Sequence, residues 1–125
     1  MTSTPPHDLP GASELLDAVR EFLESEVLPT TEGRLRFHAR VAANVVAMVR
    51  REMILGPAQG AAHAERLAQL GVADDAALAH AIRSGELAER ADEVRAVVRA
   101  AVADKLRVAN PAYLADPPPQ AQEAP

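Results

Sequence analysis

Six polar side chains crowded into one segment have types and spacings that could do chemistry: Arg34, Arg36, His38, Arg40, Asn44 and Arg50. Arg34 and His38 are four residues apart, as are Arg40 and Asn44, so on a helix each pair stacks on one face. Arg36 and Arg40, with Arg34 near them, suit a phosphate or carboxylate, which an arginine fork can grip through two parallel bonds. Arginines also recur on helices that bind nothing. His38 could act as a general base, although an imidazole on an apolar arc is more often a hydrogen-bonded core group. Asn44 in mid-helix must find partners if it is buried, on another helix or on another protein.

Other chemistries lack their residues. There is no Cys, and Ser13, Ser25 and Ser84 read as cap or surface residues, so no nucleophile is evident. His38, His63 and His80 fall on three different helices and no HExxH is present, so no metal site is expected. The six glycines are scattered singly, which leaves no phosphate-cradling loop. No cofactor is implied. A formal charge of −5 and only three aromatic residues, Phe22, Phe37 and Tyr113, argue against nucleic acid. No apolar run approaches the roughly 18 residues of a membrane span, and the N-terminus lacks a signal-peptide layout. The expected location is therefore cytoplasmic, with no membrane contact.

The elements that must position these groups are helical, because nothing alternates with a period of two. A chain of 125 residues makes one domain by length. Residues 1–10 read as a disordered arm, 11–114 as a single helical domain, and 115–125 as a disordered Pro-rich tail. A first helix starts at an N-cap, Ser13, and ends at Leu28 before Pro29. A long central second helix runs from Leu35 and stops at Gly56-Pro57. A weaker one covers 58–70 and closes at Gly71. Asp74 caps a short helix ending at Gly85, and a last helix reaches Ala109 before Asn110-Pro111, with Tyr113 and Leu114 folding back onto the bundle. The fold class is all-α, a small bundle of about five helices.

The second helix has two faces. Phe37, Val41, Val45, Met48 and Val49, extended by Leu35, Ala42, Val46 and Met53, form an apolar arc expected to face the core, with Arg34, His38, Asn44 and Glu52 inside it or at its edge. Arg36, Arg40, Ala43, Ala47 and Arg50 lie opposite, as a stripe of charges and small residues expected to meet a partner or an anion.

The segments GRLRFHARVAANVVAMVRRE, ASELLDAVREFLESEVLP and DKLRVANPAYL resemble a small bacterial family of all-helical proteins. Its members are encoded beside aminoglycoside-phosphotransferase-like kinases and acyl-CoA dehydrogenases. One setting is levulinate catabolism, where the small protein accompanies a 4-hydroxyacyl-CoA kinase. The resemblance spans about residues 8–114 and transfers no catalytic residue. It implies a non-catalytic accessory subunit of such a kinase, with acyl-CoA reached through the partner. A stand-alone helical protein binding a small acyl or anionic ligand is the alternative, and a small enzyme using His38 as base is a third reading. A homo-oligomer is left open.

Overall fold

The computed structural model describes residues 3–115. Among them are five α-helices and no strand: α1 (Ala12–Phe22), α2 (Gly33–Gln69), α3 (Asp75–Ser84), α4 (Ala91–Ala109) and α5 (Pro111–Ala115). The chain divides into two compact units, Met1–Leu55 and Gly56–Pro125. The parts of the expected tails at residues 1–2 and 116–125 lie outside the described residues.

In the first unit, Ser3 donates its hydroxyl to the carbonyls of His7 and Asp8 ahead of α1. Gly11, not Ser13, occupies the N-cap of α1. Nor does α1 run regularly to Leu28. Its coil widens into one π-helical turn at Leu23–Val27 and tightens into a 3-10 turn at Leu28–Thr30. Pro29 brings no N–H to this end. The Thr30 hydroxyl bonds the Glu26 carbonyl at 2.8 Å and the Thr31 hydroxyl bonds the Val27 carbonyl at 2.8 Å. Both carbonyls belong to the last turn, where backbone acceptors lack helical partners. Gly33 then opens α2 at φ 59°, a backbone that a residue without Cβ adopts most cheaply.

The stop expected at Gly56-Pro57 is absent. Pro57 lies inside α2, which absorbs the separate helix expected over 58–70 and extends for 37 residues. Proline removes one helical hydrogen bond, and its ring crowds the residue before it. Gly56 has no Cβ to offer to that clash, which is why this pair is tolerated within a helix. The division between the two compact units coincides with the same pair.

The second unit follows its sequence signals more closely. α2 ends in a Schellman motif: Val72 N–H bonds the Leu67 carbonyl, Gly71 N–H bonds the Ala68 carbonyl, and Gly71 sits at φ 76°. Asp74 caps α3, accepting from the Ala77 N–H at 2.8 Å. Gly85 closes α3 in the left-handed region. Leu67, Leu70, Leu78, Ala81, Leu87 and Val97 form the core of this unit, with Val72 and Val94 packed against it. On α4, Val97 is buried while Val98 and Val102 are exposed. A short 3-10 turn, Ala88–Arg90, precedes α4. After Asn110 the chain forms α5, where Tyr113 and Leu114 are exposed instead of folded into the core.

Candidate functional site

In the first unit α1 and α2 meet through a charge pair. Arg50 of α2 reaches α1, its Nε lying 3.8 Å from Asp17 Oδ1. Ala39 and Ala43 precede Arg50 by eleven and seven residues, so all three share one helical line. Ala43 is 2% exposed and Ala39 is buried with it. Ala39 and Ala43, with the half-buried Arg50, therefore supply the inner face of α2, while Arg36 and Arg40 of the same stripe stay exposed.

Charges hold the same contact. Asp17 accepts from Arg20 Nε and Nη2, the latter at 2.7 Å, while Arg20 also reaches Glu24 at 2.8 Å. The hydrogen bonds from Arg20 are the main reason the Asp17 carboxyl is held below the usual carboxylate range. The Arg20 and Arg50 charges add to the effect and desolvation opposes it. Arg20 is pushed up in turn. The Arg50 Nε atom is buried without a hydrogen-bond partner, which makes Asp17 the charge that it faces.

The apolar arc points away from this contact. Phe37 is 63% exposed and Val45 51%, and Leu35, Val41, Met48, Val49 and Met53 are exposed with them. α1 adds Leu15, Val19 and Phe22, which are also exposed. The expectation that this arc forms the core is thus reversed. Apolar periodicity records that a face avoids water, and in this unit the protein interior is not what meets it.

Arg34, Arg36, His38, Arg40 and Asn44 are all exposed, and Arg50 is half-buried. Arg34 Nε donates to His38 Nε2 at 3.3 Å, and the His38 ring meets Phe37 edge-on, with centroids 5.5 Å apart. Arg34 and Arg36 project about 160° apart around the helix, whereas Arg36 and Arg40, four residues apart, share one exposed face. What the structure brings together is an exposed apolar row with Arg34 and His38 at one end. Glu52 lies further along the same side and is also exposed.

Two polar clusters of the second unit escape a reading based on spacing. His63 Nε2 and Asp75 Oδ1 lie 2.7 Å apart, and His63 Nδ1 is buried without a partner. The two residues fall on either side of the turn at Gly71, a pairing that its position could have suggested. The second cluster joins Arg66 and Arg107 around the mostly buried Asp104 carboxylate, with Arg66 Nη1 at 3.6 Å, and Gln59 donates to the Asp104 carbonyl. Beside it, Arg66, Gln69, Leu70, Glu93, Ala96, Val97 and Ala100 line a cleft of about 300 Å³. Arg90 holds the Glu93 carboxyl below its usual range, chiefly by hydrogen bonding, and donates to the Gln69 carbonyl at 2.9 Å. These groups tie α2, α3 and α4 together and present no nucleophile–base pair. Among the described residues no three His, Asp or Glu side chains gather as a metal site, and no helix is long and apolar enough to cross a membrane.

A family model described as a domain of unknown function, DUF6285, matches residues 29–113. The chain belongs to the DUF6285 family. The matched span runs from Pro29 into α5 and includes the whole apolar row of α2, while α1 lies outside it. No curated protein and no solved structure matches this DUF6285 chain.

Proposed function

We propose that this DUF6285 protein is a non-catalytic accessory subunit that docks on another protein through the apolar face of its first unit. The observation that carries the proposal is the exposed row of α2, Phe37 through Met53, joined by Leu15, Val19 and Phe22 of α1. An exposed apolar row of this kind marks interaction sites on soluble proteins. The proposed partner is an aminoglycoside-phosphotransferase-like kinase acting on hydroxyacyl-CoA. That assignment is supported by the resemblance of the GRLRFHARVAANVVAMVRRE segment and its companions. In this reading the kinase supplies nucleotide, metal and catalytic groups, and the exposed Arg36 and Arg40 offer cations to the anionic CoA moiety.

Co-expression with the adjacent kinase tests the proposal. The two should co-purify, and the kinase alone should be less soluble or slower on hydroxyacyl-CoA. Leu35→Glu with Met53→Glu should abolish co-purification without unfolding the subunit, since both side chains are already exposed. A kinase that is equally soluble and equally active alone refutes the assignment.

A further inference from the structure

The apolar row of α2 carries its own complement. Arg34, His38, Val41, Val45, Met48 and Glu52 follow one another at spacings of four, three, four, three and four, the seam of a left-handed coiled coil. All six are exposed. Positions 34 and 52, 38 and 48, and 41 and 45 are each equidistant from position 43. If a second copy is laid antiparallel on this seam with the two-fold axis level with residue 43, Val41 meets Val45, His38 meets Met48, and Arg34 meets Glu52, each pair occurring twice. A parallel copy would set Arg34 against Arg34 and Glu52 against Glu52. Like charges directly opposed are unfavourable, so charge selects the antiparallel arrangement.

We infer that the protein forms an antiparallel homodimer through this seam, with Arg34 of each copy paired to Glu52 of the other. The inference rests on reading the face as a protein-docking surface and commits that surface first to a second copy of the chain. Such an interface is isologous, the usual form for a two-fold dimer. A kinase would then meet a paired subunit, through surface that the seam leaves uncovered.

The test uses the full chain without a partner, by sedimentation equilibrium. The expected mass is twice the 13.3 kDa of one chain. Val45→Glu should give a monomer with unchanged helix content, because Val45 is exposed within its own chain. Arg34→Glu and Glu52→Arg should each weaken the dimer roughly tenfold, since each change sets two like-charge pairs across the interface. The double variant Arg34→Glu/Glu52→Arg should return to wild-type affinity. The two positions are 18 residues apart on one helix, about 27 Å, so only contact between copies can produce that rescue. A wild-type chain that stays monomeric at about 100 µM, or a double variant as weak as its parents, overturns the inference. A monomer that still co-purifies with the kinase would sink the homodimer and leave the accessory role standing. A dimer with no effect on the kinase would do the reverse.

Discussion

Replacing Pro57 by Ala is the sharpest test of the continuous α2. Proline in a helix interior is about 3 kcal/mol worse than Ala, through the missing hydrogen bond to the carbonyl four residues earlier and the clash of its ring. Proline also restricts the unfolded chain, an advantage of up to about 1 kcal/mol that Pro57→Ala forfeits. The net expectation is a gain of about 2 kcal/mol. For a chain of this length that corresponds to a rise of roughly 8 °C in Tm. The assay is thermal and urea unfolding followed by circular dichroism at 222 nm. Gly60→Ala serves as an internal reference. Gly60 is three residues further along the same helix, and a Cβ built on it meets nothing within 4 Å. Removing its backbone entropy should add roughly 0.5–1 kcal/mol. If Gly60→Ala stabilises while Pro57→Ala is neutral or destabilising, the helix breaks at Gly56-Pro57 and the turn read from the sequence is the true one.

Two other outcomes follow from the contact between α1 and α2. Ala43→Leu places three extra carbons at a position that is 2% exposed, and overpacking there should cost about 1–3 kcal/mol in a urea titration. Asp17 has a folded-state pKa below its unfolded value, so its contribution is present above the unfolded value of about 4 and is lost as pH falls through the folded one. Acid titration of stability should therefore steepen below about pH 4, with Glu93 acting in the same sense through Arg90. Asp17→Asn should flatten part of that slope, and an unchanged slope would mean that Arg20 and Arg50 do not hold the carboxylate in solution.

Where a residue acts through its own backbone, the sequence was a reliable guide. Asp74 and Gly85 bracket α3 and Gly71 closes α2, because a carboxylate cap and a left-handed glycine have few alternative uses. Pro57 misleads for a related reason. Its penalty is fixed but modest, and a residue without Cβ before it, in a helix anchored on both sides, is enough to absorb it. The faces of α2 were harder to assign. Both sides of that helix are rich in small or apolar residues, and the spacing that groups Val41 with Val45 is identical whether they meet α1, another chain or water. Ala39 and Ala43 are buried on the side away from the apolar arc, and the charge that Arg50 meets, Asp17, is 33 residues away. Pairings such as Arg66 with Asp104 are longer still and carry no local signal. The candidate residues of α2 were thus recognised as a group, but their division into an inward Arg50 and an outward Arg34 and His38 needed the fold.

The division of the chain between Leu55 and Gly56 falls within hydrogen-bonded helix, where a linker would ordinarily be found. Proteases cleave extended, mobile backbone, so this boundary gives them little to grip. A genetic cut there would create two new helix ends, with about four bare carbonyls on one and about four bare N–H groups on the other. The two units therefore share a helix at their boundary.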